Sequence, residues 1–151
     1  MLSPQEKLEA INKLTRKSLV DFFRVFLADV SDFSDSPPFH SKISDILLWG
    51  KKNFAIEAFR ESAKSSLVVY SYPIYCLAYP HRRRSYVVFI KQNQKLAEDK
   101  LRQVAQTYLN HPVLSLNLVK VVRSSSSALE VIVKNRMGKE IQVSMCSALC
   151  L

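Results

Sequence analysis

The basic tetrapeptide His81-Arg82-Arg83-Arg84 has the clearest chemistry in this sequence. Adjacent cationic side chains repel one another unless anions or solvent screen them, and the planar guanidinium fork of arginine matches phosphate oxygens. Tyr79 and Tyr86 flank the tetrapeptide, and an exposed tyrosine ring offers a stacking face for a nucleobase. This combination predicts contact with nucleic acid, a polyanion that carries both phosphates and bases.

The positive charge of the chain is concentrated after residue 50. The whole sequence has a net charge of +9, from 22 Lys and Arg against 13 Asp and Glu. Residues 1–50 contribute −1, whereas residues 51–93 contribute +6, with eight basic residues against two acidic ones. Lys51 and Lys52 begin this basic segment, and we include them in the predicted nucleic-acid-binding set with the basic tetrapeptide, Tyr79 and Tyr86.

The sequence contains no recognisable catalytic constellation. Metal-assisted hydrolysis needs at least two converging carboxylates, and no Asp or Glu occurs between Glu61 and Glu98. Gly50 and Gly138 are the only glycines, which excludes the glycine-rich loops that bind nucleotides. We expect a non-enzymatic protein with no cofactor and no metal, although a catalytic triad assembled from distant positions stays an open alternative.

The cysteines and the apolar runs indicate a cytoplasmic protein. Cys76, Cys146 and Cys150 are odd in number and the three histidines are scattered, so we expect free thiols rather than disulfides or a zinc site. The longest apolar runs are too short or too interrupted to cross a bilayer as helices, and the N-terminus does not resemble a secretory signal. We expect no integral membrane insertion.

Hydrophobic periodicity predicts an α+β fold in a single domain, residues 1–151. Its N-terminal part, residues 1–50, is expected to consist of amphipathic helices. Its first apolar stretch fits one long helix, or two short ones with a break near Thr15 to Ser18 and a new cap at Ser18. The basic α+β part covers residues 51–151. There Asn93 caps a helix with an apolar stripe, which ends before His111 and Pro112.

The basic part is predicted to contain a mainly antiparallel five-stranded sheet, in the order α-β-β-α-β-β-β for the chain. The strands are placed at residues 67–79, 85–91, 114–118, 129–133 and 141–145. The first two are expected to form a hairpin whose turn, residues 80–84, carries the basic tetrapeptide. In the last hairpin, a three-residue loop with Gly138 in the left-handed conformation pairs Val133 with Ile141.

The leading functional prediction is a binding protein that contacts nucleic acid phosphates through the basic hairpin face with low sequence specificity. The alternative is a protein-interaction or dimerisation module that acts as an adaptor or regulator. In it, the helices before Pro37 or the edge of the last strand recruit a partner or a second copy. A third and less favoured alternative is attachment of the same arginines to an anionic membrane surface.

Overall fold

The computed structural model describes residues 4–28, 37–50, 53–57 and 63–149 of the chain. The chain divides into two compact units, Met1–Tyr72 (unit 1) and Pro73–Leu151 (unit 2). The predicted mixture of helices and sheet is confirmed, but the sheet has four strands instead of five, and the order of the strands differs from the prediction. The predicted single domain, with a boundary between its two parts at residue 50, stays a prediction.

Unit 1 consists of helices that pack around α2. Of the two alternatives, two short helices with a break between Thr15 and Ser18 are present, and the Ser18 side chain caps α2 by accepting a hydrogen bond from the Asp21 backbone N–H at 3.1 Å. The apolar face of α2 buries Leu19 and Phe22 completely. The helices of unit 1 are α1 (Pro4–Thr15), α2 (Leu19–Phe26) and α3 (Pro38–Trp49), followed by a π-helical turn (Ser66–Ser71).

The segment that was predicted as the first strand, residues 67–79, is helical. The π-helical turn leads directly into α4 (Tyr72–Ala78). An apolar run without a clear period fits a buried helix as well as a buried strand, so periodicity could not separate the two. The wide turn comes just before Pro73, whose ring would otherwise conflict with a carbonyl of the preceding helical turn. The predicted hairpin is therefore wrong, and the basic tetrapeptide lies between a helix and a strand.

Unit 2 contains one sheet with α5 packed on one of its faces. The strands follow the order β1-β4-β3-β2, in which β1 runs parallel to β4 and the other pairs are antiparallel. Asn93 caps α5 by accepting from the Lys95 N–H at 2.8 Å, as predicted. The elements are β1 (Tyr86–Lys91), α5 (Gln94–Asn110), β2 (Leu118–Ser124), β3 (Ala128–Lys134) and β4 (Glu140–Leu149). The apolar stripe of α5 is buried at Ala97, Leu101, Val104 and Tyr108.

The hairpin that joins β3 to β4 has the predicted register. Val133 pairs with Ile141, and Gly138 has a left-handed φ of +72° that a side chain would disfavour. The Asn135 side-chain oxygen accepts from the backbone N–H groups of Met137 and Lys139, both at 2.9 Å. The loop is therefore fixed by local hydrogen bonds, and Gly138 needs no ligand to explain it.

The strand predicted at residues 114–118 is a 3₁₀ turn, Leu114–Asn117, and β2 begins only at Leu118. The His111 ring stabilises this turn, because its Nδ1 accepts from the N–H groups of Val113 and Leu114, both at 3.2 Å. The alternation of Leu114, Leu116 and Leu118 with polar residues predicted that these leucines are buried on a sheet, but Leu116 is 71% exposed.

Asn117 connects α4, α5 and the start of β2. Its side-chain N–H₂ group donates to the carbonyls of Leu77 at 2.9 Å and Ala78 at 3.1 Å, which belong to the last turn of α4. Its side-chain oxygen accepts from the Tyr108 hydroxyl at 2.7 Å. Tyr108 is completely buried, and this burial raises the pKa of its hydroxyl far above the usual value. One amide thus satisfies a helix end and a buried hydroxyl.

We predict that Asn117→Ala lowers the free energy of unfolding by about 2 kcal/mol, because it leaves the Tyr108 hydroxyl and two helix carbonyls without their partner. Urea unfolding followed by circular dichroism measures the effect. Leu116→Ala is the matched control at the neighbouring exposed position, where a change within about 0.5 kcal/mol is expected. An Asn117→Ala protein as stable as this control would show that the amide does not connect these elements.

Candidate nucleic-acid interface

The basic tetrapeptide forms a 3₁₀ turn, Arg82–Arg84, between α4 and β1. The His81 ring stabilises the turn, because its Nδ1 accepts from the Arg83 N–H at 3.2 Å. The Ser85 hydroxyl closes the other end by donating to the Arg82 carbonyl at 3.1 Å. A 3₁₀ turn has three residues per turn, so consecutive side chains leave it about 120° apart. The three side chains therefore leave the turn in different directions.

Arg84 points into the protein and packs against Tyr75. Its guanidinium carbon lies 5.5 Å from the centre of the Tyr75 ring, and its Nη1 is buried without a hydrogen-bond partner among the described residues. Burial raises the pKa of Tyr75, an effect that the charge and hydrogen bond of Arg84 partly offset. The half-buried Tyr79 ring meets the Tyr75 ring edge-on, with 5.1 Å between the centres. Arg84 and Tyr79 thus belong to an internal aromatic cluster.

Arg82 and Arg83, which we call the arginine pair, are exposed together with His81. Among the described residues, Arg102 of unit 2 forms an ion pair with Asp99 at 3.6 Å, and no described carboxylate pairs with either member of the arginine pair. Lys51 and Lys52, which complete the predicted set, lie outside the described residues.

The sheet presents one face that α5 does not cover, and we call it the open face. On β1, Tyr86 is 67% exposed and Ile90 is 59% exposed, whereas Phe89 between them is only 5% exposed. This alternation places Phe89 against α5 and its neighbours on the opposite side. The open face is formed on β1 by Tyr86, Val88 and Ile90, and on β4 by Ser144, Cys146 and Ala148.

Tyr86 leans across the open face toward β4. Its partner in the parallel register is Ser144, but its hydroxyl shares a hydrogen bond with Sγ of Cys146, two residues further along, at 3.4 Å. This diagonal contact is within reach of an aromatic side chain in a sheet. The hydrogen bond to Cys146 raises the pKa of the Tyr86 hydroxyl. The ring is therefore oriented by the sheet and is still largely exposed.

Exposed basic side chains of β2 and β3 extend the open face and form its basic end, which we define as Lys120, Arg123 and Lys134. The register places Arg123 in the same row as Tyr86, through Ser144 and the half-buried Glu130. The sequence prediction missed these cations because it did not recognise β2. The sequence feature that could have identified them is the occurrence of Lys120 and Arg123 within the otherwise apolar residues 118–123.

The net positive charge of the chain is concentrated in unit 2. Residues 73–151 contain twelve Lys and Arg against four Asp and Glu, a net charge of +8, which leaves +1 for residues 1–72. The only carboxylates in the strands are those of Glu130 and Glu140. This unit therefore attracts anions over a wide range of approach directions.

No protein-family model, no curated protein and no solved structure matches the chain. The arrangement of its own residues is therefore the basis for any functional proposal. Within the described ranges, no three His, Cys, Asp or Glu side chains lie close enough together to hold a metal ion. The same ranges contain no helix with the length and apolar character needed to span a membrane.

We predict that the adjacent arginines differ in their contribution to stability. Arg84→Ala removes the contact with the Tyr75 ring and should lower the free energy of unfolding by about 1 kcal/mol. Arg83→Ala removes the same charge from an exposed position and should change it by less than about 0.5 kcal/mol. Chemical unfolding of both variants provides the comparison. Equal effects would mean that Arg84 is as free in solution as Arg83.

Proposed function

We propose that unit 2 binds nucleic acid by contacting its phosphates with little sequence specificity. The contacts come from the arginine pair and from the basic end of the open face. The observation that carries this proposal is that Arg82 and Arg83 are adjacent, exposed and not paired with any described carboxylate, in a unit with a net charge of +8. Arg84 and Tyr79 are left out of the contact set because they pack inside unit 2.

Phosphate is the favoured partner of the arginine pair for an electrostatic reason. Two guanidinium groups held on one short turn repel each other, and the turn lies in a segment without Asp or Glu between Glu61 and Glu98. A phosphate backbone supplies anionic oxygens at close spacing, and each contact releases counterions that were condensed on the nucleic acid. Such contacts fix position on the backbone but do not read bases, which supports low sequence specificity.

The alternative function is association with another protein, which could pair with a free edge of the sheet. The last strand, β4, lies between β1 and β3, and β1 covers its edge from Ser144 to Leu149, which disfavours the predicted recruitment through that edge. The free edges belong to β1 and β2, and β2 exposes Val119, Val121 and Val122. However, β2 also carries Lys120 and Arg123, and its pairing with β3 is shifted at two places. Charge and bulges on an edge oppose the addition of another strand.

We predict that replacing both members of the arginine pair by alanine weakens the salt dependence of nucleic acid binding. For a labelled DNA duplex, the slope of log affinity against log salt concentration should fall by about 1.8, because each lost phosphate contact removes about 0.9. Fluorescence anisotropy over a series of salt concentrations measures the slope for the original protein and for the R82A/R83A variant.

The matched control is K13A/K17A, which removes the same charge from exposed positions of unit 1. Its slope should equal that of the original protein. A slope unchanged in R82A/R83A, or reduced equally in both variants, would reject contact through the arginine pair. Absence of binding at low salt would reject the proposed function altogether, and light scattering would then show whether the protein is a dimer instead.

A further inference from the structure

We infer that the open face of unit 2 takes unpaired bases of single-stranded nucleic acid, with Tyr86 as the stacking platform. This inference rests on the proposed function and specifies which form of nucleic acid binds. Tyr86 is the most exposed aromatic residue described in unit 2, at 67%, and its ring is oriented by the hydrogen bond to Cys146. An aromatic ring that is exposed and already oriented loses little conformational freedom when a base stacks on it.

The width of the sheet favours a single strand over a duplex. Four strands with a spacing of about 4.8 Å place the axes of β1 and β2 roughly 14 Å apart. The major groove of B-DNA, about 12 Å wide, admits a helix or a two-stranded ribbon. A four-stranded sheet cannot enter it face-on. The bases of an intact duplex are also stacked on each other, so their faces are not accessible to a tyrosine ring that approaches the duplex from outside.

The distribution of charge on the open face is complementary to a single strand. Tyr86 lies between the basic end and an uncharged end formed by Val88, Ile90 and Ala148. The arginine pair precedes Tyr86 in the chain, and Arg123 lies in its row on the far side of the sheet. Glu130, half-buried between them, is the one acidic group in this row, and the exposed Glu140 lies opposite Lys134 in the basic end. Phosphates that contact the cations would therefore leave bases free to reach Tyr86 and Val88.

The test compares two substitutions at Tyr86. Tyr86→Leu keeps an apolar side chain but removes the stacking face, whereas Tyr86→Phe keeps the ring and removes the hydroxyl that bonds to Cys146. The probes are a labelled oligo(dT) strand and the duplex formed by the same strand with oligo(dA). We expect the original protein to prefer the single strand.

The expected losses follow from the energy of one base stacked on an aromatic side chain. Tyr86→Leu should weaken binding to oligo(dT) by about 5- to 150-fold, and its affinity for the duplex should change less than about 2-fold. Tyr86→Phe should stay within about 3-fold of the original protein for both probes. The R82A/R83A variant should lose affinity for both, since both contain phosphates.

Three outcomes would overturn the inference, and the first two leave the proposed function standing. If Tyr86→Leu binds oligo(dT) as tightly as the original protein while R82A/R83A binds weakly, phosphate contact is supported and base stacking on Tyr86 is rejected. If the duplex binds more tightly than the single strand, the open face is not the binding surface. If neither probe binds and light scattering shows a dimer that Tyr86→Leu dissociates, a second copy occupies the face and both proposals fail.

Discussion

The burial of Phe89 beneath α5 determines which side chains of unit 2 reach solvent. Phe89 is 5% exposed, and the parallel pairing of β1 with β4 runs from Tyr86 opposite Ser144 to Lys91 opposite Leu149. Because side chains alternate along a strand, a shift of one residue would turn Tyr86, Val88 and Ile90 toward α5 and expose Phe89. The packing of one aromatic ring thus sets the register, and the register places Tyr86 in the same row as Arg123 of β2, across the sheet.

The parts of the fold that local chemistry determines could be predicted from the sequence. The Asn93 cap, the apolar stripe of α5 and the left-handed Gly138 each depend on residues a few positions apart, and all three are present in the structure. Residues 67–79 were assigned to the wrong type of element because an apolar run without polar alternation suits both helix and strand. β2 was missed because its two bulges shift the alternation that identifies a strand.

The candidate site could be predicted only in part, because side-chain direction and pairing between distant strands decide which residues it contains. The exposed arginine pair and Tyr86 belong to the predicted set, but Arg84 turns inward because a 3₁₀ turn rotates consecutive side chains apart. The basic end could not be predicted, since Lys120 and Arg123 approach Tyr86 only through pairings between strands that are distant in sequence. The face that results combines loops and strands from most of unit 2, so no short motif of the sequence describes it.

The central claim is that the arginine pair and the open face together form one surface for single-stranded nucleic acid. Nuclear magnetic resonance on the full chain, with oligo(dT) added stepwise, tests this claim residue by residue. We expect the signals of Arg82, Arg83, Tyr86 and Val88 to shift together with a common saturation curve, while those of α5 positions such as Ala97 and of α2 do not. Shifts that occur mainly in unit 1, or that affect the arginine pair without Tyr86 and Val88, would contradict it.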